Sequence, residues 1–279
     1  MTNKDNSKPM ALPKKVQNAA QKAAVECWQE GTTHQQQDWV AEEVPVALSY
    51  NGISHAVMMA TPMDLEDFAL GFSLSEGIVD SADEAYDCQQ VTHADGLELQ
   101  IRIATRQQNR LQQRRRNLQG RTGCGLCGVE SLQQMQRDIA PIKNVVPVSE
   151  SAVQAALQQL PNWQPLRAAT GACHGAAWCS ADGEIIVSRE DVGRHNALDK
   201  LIGAAVKRGL GFDAGFVLVS SRASFEMVQK AAAVGIGSVV AVSAPTSLAL
   251  TCAQRYGVNL IGFARPGRHC RYHSTDASP

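Results

Sequence analysis

Hydrophobic and polar positions divide the chain into stretches of different period. Residues 1 to about 36 are polar, rich in Lys, Gln, Asn and Ala. Val16 to Trp28 has some helical character, but its flanks predict a mobile N-terminal tail. Order is expected from Trp39 onward. Val44, Val46 and Leu48 alternate with other residues, and Asn51-Gly52 supplies a hairpin turn into Ile53 to Ala60. Thr61-Pro62-Met63-Asp64 reads as a helix start, with Thr61 as cap, Pro62 at the first position and Asp64 in the first turn. Leu65, Phe68, Ala69, Phe72 and Leu74 make the buried face of that helix, and Gly77 ends it. Leu97, Leu99, Ile101 and Ile103 share one side of a further strand. Arg106 to Arg121 holds too few apolar residues to pack and reads as a solvated mobile loop. Beyond it Val129, Leu132, Met135 and Ile139 recur at helical spacing, so a helix is expected to begin just after Cys127.

From Ala172 the pattern changes to short apolar runs alternating with helical segments, which predicts a mostly parallel sheet with crossover helices. The strands read as Ala176 to Cys179, Glu184 to Val187, Phe216 to Ser220, Val239 to Ser243 and Leu260 to Phe263, with Asp182-Gly183 turning the first pair. Helices fill Arg194 to Lys207, Phe225 to Val234 and Thr246 to Tyr256, and Gly209, Gly235 and Gly257 stand at or just beyond their ends. The expected organisation is a tail over 1–36, a small α+β domain over 37–145 that ends in the arginine-rich cysteine loop, an α/β domain over 146–273, and a tail over 274–279.

The residues just past each strand narrow the function, because ligands of open α/β sheets bind beyond the carboxyl ends of the strands. Ser188 to Asn196, Ser220-Ser221-Arg222-Ala223-Ser224, Ser243 to Ser247 and Ala264-Arg265-Pro266-Gly267-Arg268 stand there in turn. Arginines, hydroxyls and helix N-termini at one edge suit a polyanion, which Arg194, Arg222, Arg265 and Arg268 can grip bidentately. Each element alone has an ordinary reading as a helix cap or a surface charge; their recurrence is what points to a phosphate-bearing ligand. His174 and His195 have the chemistry of acid–base groups and equally that of hydrogen-bonded structural residues. No histidine has glutamate two residues on, so the zinc deaminase signature is missing.

At 279 residues and 44% apolar content the chain is long enough for a sizeable core in one or two domains. A net charge of −1 excludes a broadly basic nucleic-acid binder, and 5% aromatic content argues against a single-strand stacking platform. No apolar run is long enough to span a bilayer, and Met1 to Pro13 has lysines without a following apolar core, so neither export nor a membrane span is expected. The expected compartment is the cytoplasm, where the 8 cysteines are reduced.

Two of those cysteines form the sharpest motif, Arg121-Thr-Gly-Cys124-Gly-Leu-Cys127-Gly-Val-Glu130. Gly123, Gly125 and Gly128 let a bulky group approach both sulfurs. Upstream arginines and the expected helix N-terminus favour thiolate over thiol, so the Cys124 pKa is expected to fall below that of a free thiol. A structural zinc half-site needs two further ligands, which Cys173, His174 and Cys179 could supply. A thioredoxin-like dithiol would follow a hydrophobic strand rather than an arginine- and glutamine-rich stretch, and a structural disulfide does not suit a reducing compartment. Sulfur or acyl chemistry on an activated thiolate is the reading that remains beside these.

Over about residues 39 to 273 the sequence closely resembles the formate dehydrogenase accessory sulfurtransferases, the FdhD proteins. The resemblance is carried by Glu42-Glu43-Val44-Pro45 with Asn51-Gly52, Leu70-Gly71-Phe72 with Ser75-Glu76-Gly77, Cys124 to Gly128, Glu190 to Lys200, Ser221 to Lys230, Ser243 to Ala249 and Phe263 to Arg268. It implies a carrier that receives sulfane sulfur from a cysteine desulfurase as a Cys124 persulfide. The sulfur then goes to the molybdenum cofactor, bis(molybdopterin guanine dinucleotide), before formate dehydrogenase takes that cofactor up. Cys127 would resolve the persulfide into a disulfide or relay sulfur. The segment Phe263, Ala264, Arg265, Pro266, Gly267 and Arg268 would bind the guanine dinucleotide cofactor, beside Arg194, His195, Ser221 and Arg222. The resemblance also implies a cytidine deaminase-like second domain without zinc chemistry, and a homodimer. Gly175 departs from the pattern, which has alanine after His174. The competing readings are a non-catalytic cofactor chaperone and a zinc-binding redox protein.

Overall fold

The computed structural model describes residues 13–119 and 137–275. Order begins before Trp39: after a 3-10 turn at Lys14–Ala19 come β1 (Ala20–Gln29) and β2 (Thr32–Ala41), an antiparallel hairpin over part of the stretch expected to be a tail. The period in β1 is two, not 3.6: Ala23, Val25 and Cys27 are partly buried while their neighbours are exposed. The hairpin is pinned at its base, where Val16, Ala19 and Ala20 pack with Trp39, Ala41, Leu166 and Cys173.

Next comes a four-stranded sheet of order β4-β3-β6-β5, built from β3 (Val44–Tyr50), β4 (Ile53–Ala60), β5 (Ala85–His93) and β6 (Gly96–Ile103). β3 pairs antiparallel with β4, Val46 opposite Met58, and parallel with β6, Leu48 opposite Leu99. The Asn51-Gly52 turn forms as expected, both residues at positive φ. Val46, Leu48, Leu99 and Ile101 pack beneath α1 (Leu65–Ser75) through Leu65, Phe68 and Phe72. The cap of α1 differs from the expectation. Asp64, at φ 53, precedes the helix without a side-chain cap bond, and the Thr61 hydroxyl instead accepts from the Val192 N–H at 3.1 Å.

The stretch expected as a mobile arginine-rich loop is helical as far as Gln119: α2 spans Thr105–Gln119. Arg, Gln and Leu are good helix formers, and a single docked turn suffices to hold the helix. Leu111 enters the core, buried Gln107 donates to Asp80 and Glu84, and Arg110 makes paired bonds to Asp80 at 2.9 and 3.0 Å.

The C-terminal half contains α3 (Glu150–Gln159), α4 (Pro165–Thr170), β7 (His174–Cys179), β8 (Ile185–Asp191), α5 (Arg194–Lys207), β9 (Phe216–Val219), α6 (Phe225–Ala233), β10 (Ser238–Ala241), α7 (Ser247–Tyr256), β11 (Asn259–Arg265) and β12 (Arg268–His273). The sheet order is β12-β11-β10-β9-β7-β8. It is a mixed sheet, which corrects the expectation of a mostly parallel one: only β9-β10 and β10-β11 pair parallel. β7-β8 and β11-β12 are hairpins, and β7 meets β9 antiparallel. One face packs on α5, α6 and α7 through Trp178, Val217, Val239 and Leu260. The other packs on α3 through Ala177, Leu218, Val240 and Ile261. Among the described residues no helix is long and apolar enough to cross a membrane.

The two sheets are joined by α1 lying against α5. Gly71 faces the Asp199 carbonyl and Gly203 faces the Asp67 carbonyl so closely that a Cβ on either would collide with backbone. Backbone cannot give way as a side-chain tip can, so Gly71→Ala is expected to destabilise the fold by about 3 kcal/mol, the upper range for overpacking. Urea unfolding of the variant against the parent protein checks this.

Candidate functional site

β8 runs antiparallel to β7, and β7 antiparallel to β9, so the carboxyl ends of β8, β9, β10 and β11 all lie at one edge. The loops beyond them are stitched together. Val242 N–H donates to the Val219 carbonyl (2.9 Å), Phe263 N–H to the Ser243 carbonyl (3.0 Å), Ser220 N–H to the Gly175 carbonyl (2.9 Å), and Ala223 bridges Pro245. The convergence expected from the strand ends is therefore present.

Arg194 and His195 open α5, whose N-cap, Gly193, has no side-chain cap bond; Ser224, the N-cap of α6, makes none either. Both helix starts thus keep N–H groups for an outside acceptor. Arg222 is exposed beyond β9. Phe263 sits at φ 50 in the bulged end of β11, Ala264 is buried, and Arg265, Pro266, Gly267 and Arg268 form the exposed turn into β12. Gln154 of α3 holds that turn, accepting from the Gly267 N–H at 2.7 Å. Ser221 differs from the expectation of an outward contact: it is buried, and its hydroxyl donates to the Arg222 carbonyl at 3.0 Å. Cys124 and Cys127, with the helix expected after them, lie outside the described residues apart from Ile139, which packs against the core in a stretch without regular secondary structure.

The guanidinium groups of Arg222, Arg265 and Arg268 have no hydrogen bond or ion pair among the described residues, and the Arg194 Nε is buried without one. Burial, then Arg167 and Arg194, hold the His174 imidazole below the ordinary histidine pKa, and its Nδ1 has no partner among the described residues. His195 Nε2 stands 2.8 Å from the Glu226 carboxylate and 3.5 Å from the Ser224 hydroxyl. Glu226 and Ser224 were not singled out as site residues from the sequence. The signal for them was their place in the Ser221 to Lys230 run, directly after a strand.

Much of the Glu190 to Lys200 run is scaffold. Glu190 accepts from the Leu166 and Arg167 N–H groups at 3.0 and 2.8 Å and so caps α4. Asp191 and Lys200, both fully buried, pair at 2.6 Å. Asp191 also accepts from the Thr61 and Gly193 N–H groups and from Asn196, while Lys200 donates to the Thr61 carbonyl. Farther along α5, Asp199 binds Lys230 at 2.9 Å and Ser75 at 2.6 Å. Burial opposes the Lys230 charge, but Asp199 and Glu76 outweigh it and hold its pKa above the ordinary lysine value. These pairs lock α5 to the first sheet and leave Arg194 and His195 turned outward.

Cys173 and Cys179, considered as zinc ligands with His174, sit at opposite ends of β7 in separate apolar clusters. Burial pushes the Cys173 thiol up to about 11 and the Cys179 thiol further. Among the described residues no group of three His, Cys, Asp or Glu side chains could hold a metal. Gly175 has a local reason: a Cβ there would run into the Gln164 amide, so this glycine accommodates that side chain.

The fold and the edge together define a mixed α/β protein with two sheets locked by buried ion pairs and a strand edge suited to an anionic ligand. The chain belongs to the FdhD/NarQ family, whose model matches residues 41–277. It is 55% identical over 249 residues to the sulfur carrier protein FdhD of Cupriavidus necator, covering 89% of this chain and 86% of that one. With the sulfur carrier protein FdhD of Bordetella bronchiseptica it shares 53% over 230 residues, 82% of this chain and 83% of the other. A crystal structure of a provisionally named formate dehydrogenase accessory protein from Desulfotalea psychrophila superposes with a TM-score of 0.71 at 23% identity, over 92% of this chain and 97% of that one. That likeness speaks for the fold alone.

Proposed function

We propose that the chain is a sulfur carrier serving formate dehydrogenase. It takes sulfane sulfur from a cysteine desulfurase onto Cys124 and delivers it to bis(molybdopterin guanine dinucleotide) bound at the strand edge. The observation that carries the cargo reading is the row of guanidinium groups, Arg222, Arg265 and Arg268, left without anionic partners among the described residues beside two uncapped helix starts. Family membership and the names of the relatives support the carrier reading. The resemblance of the C-terminal half to cytidine deaminases, the homodimer and the cytoplasmic setting belong to the same proposal.

The chemistry balances with the two thiols of the motif. The Cys124 thiolate attacks the outer sulfur of the donor persulfide, the donor thiolate leaves, and Cys124 holds an S–SH group. When Cys127 thiolate attacks the Cys124 Sγ, a Cys124–Cys127 disulfide forms and hydrosulfide departs toward the cargo; two thiol sulfurs are oxidised as one sulfane sulfur is reduced. The edge residues position the cargo electrostatically and take no covalent part. Arg265→Ala and Arg268→Ala are each expected to weaken GDP binding about tenfold, the scale of one charge-assisted hydrogen bond. Calorimetric titration checks this, and unchanged affinity in both variants would remove the turn from the cargo site.

A further inference from the structure

β1 and β2 form a sheet of two strands to which no third is added among the described residues. Each strand has 10 residues, and the ladder runs without a bulge from Ala20 opposite Ala41 to Gln29 opposite Thr32. The ribbon docks at its base, and near its tip Trp28 is 73% exposed. A two-stranded ribbon is marginal by itself in water, so this one calls for further cover. It lies ahead of residue 41, where the family match begins. Monomeric proteins blunt such an edge with a short strand, a proline, a bulge or several charges. β1, AQKAAVECWQ, is long and unbulged, lacks proline, and holds one cation and one anion, Lys22 and Glu26. β2 turns toward α4, where Trp39 and Ala41 pack with Leu166, so β1 presents the more open edge.

Side chains alternate along a strand, so Ala20, Lys22, Ala24, Glu26 and Trp28 share one face of β1. Lys22 Nζ lies 5.3 Å from the Trp39 ring centre, and Glu26 accepts from Gln35 Nε2 at 3.0 Å. Neither charge has an ion pair among the described residues. Four positions apart, about 13 Å along a strand, they do not reach each other within one chain. A second copy laid antiparallel on β1, with the two-fold axis at Ala24, brings them together. Lys22 of each chain then faces Glu26 of the other, Ala23 faces Val25 on the opposite side of the sheet, and Trp28 faces Ala20 at the base of the other ribbon. No other antiparallel register sets the two charges directly opposite. We infer that β1 is a dimerisation edge, pairing with β1 of a second copy in this register to give a four-stranded sheet of order β2-β1-β1-β2. The inference rests on the homodimer of the proposed function and gives it a surface; the sulfur and cargo readings do not enter it.

The test is sedimentation equilibrium of the full chain at low salt, where exposed charges are least screened. Lys22→Glu and Glu26→Lys are each expected to weaken dimerisation about tenfold, because like charges then face each other at two places. An equimolar mixture of the two variants is expected to dimerise as the unaltered protein does, since every facing pair is again of opposite sign. A merely structural role for either side chain would not be rescued by mixing. The register is read by oxidative cross-linking, with the new disulfide located by digestion. Ala24→Cys is expected to cross-link to its own copy ahead of Ala23→Cys, because position 24 meets itself across the axis and position 23 does not. A dimer that neither charge variant weakens, a weakened pair that mixing does not restore, or equal cross-linking at positions 23 and 24 overturns the inference and leaves the homodimer to another surface. An unaltered chain that stays monomeric at every concentration overturns both.

Discussion

Cys124→Ala is expected to abolish activation of formate dehydrogenase while GDP affinity stays that of the parent protein. The expected separation follows from the proposed division of labour, in which Cys124 carries sulfur and Arg222, Arg265 and Arg268 hold the cargo. Of the cysteines outside the motif, Cys173 and Cys179 are buried with thiols pushed above their ordinary range, which leaves them poor nucleophiles at neutral pH. The measurement is formate dehydrogenase activity in a strain carrying only the variant, beside titration of the purified variant. Retained activity would count against Cys124, and joint loss of activity and GDP binding would point to a folding defect.

The second large effect concerns stability. Lys200→Met is expected to cost about 3–5 kcal/mol, because it leaves the fully buried Asp191 carboxylate without its cation. Asp191 keeps its bonds from Thr61, Gly193 and Asn196, so the charge remains ordered but uncompensated. Since Lys200 also ties the Thr61 carbonyl, the variant loosens the start of α5 and with it Arg194 and His195. Urea unfolding reads the stability loss. An unaltered midpoint would mean that Asp191 takes up a proton at little cost, and that the pair is not what holds α5 to the first sheet.

The parts of the fold legible in the sequence were those where one period dominates. β3, β4 and the Asn51-Gly52 turn follow from alternation and turn chemistry, and α5 spans the expected Arg194 to Lys207. The hairpin of β1 and β2 was missed because its alternating residues, Ala23, Val25 and Cys27, are small or lie among glutamines, and because docking on Leu166 is a tertiary effect. α2 was missed because Leu111 is the one apolar side chain among its described ones, and its other anchors, Gln107 and Arg110, are polar and show no stripe. The β7-β8 hairpin was legible in Asp182-Gly183; the sheet direction was misread because β7 meets β9 antiparallel, and because β12, with His269, Cys270 and Tyr272 among arginines, lacks an apolar run.

At the candidate site, the strand-end loops could be placed by order alone, since each comes after a short apolar run. Which side chains face outward could not. The Glu190 to Lys200 run reads as one polar stretch, yet Asp191, Asn196, Asp199 and Lys200 are buried while Arg194 and His195 reach the edge. That division depends on where Thr61 and Ser75 come to lie, 130 and 124 positions along the chain from Asp191 and Asp199 respectively. The partnership of His195 with Glu226 depends likewise on two helices starting side by side.

The carrier claim is tested most directly by mass spectrometry of the intact chain after incubation with a cysteine desulfurase and cysteine, with the labelled peptide located by digestion. The account predicts a gain of one sulfur on the peptide containing Cys124, removed by a thiol reductant and lacking in Cys124→Ala. A chain that binds GDP but never gains sulfur on that peptide would contradict it and favour a non-catalytic cofactor chaperone.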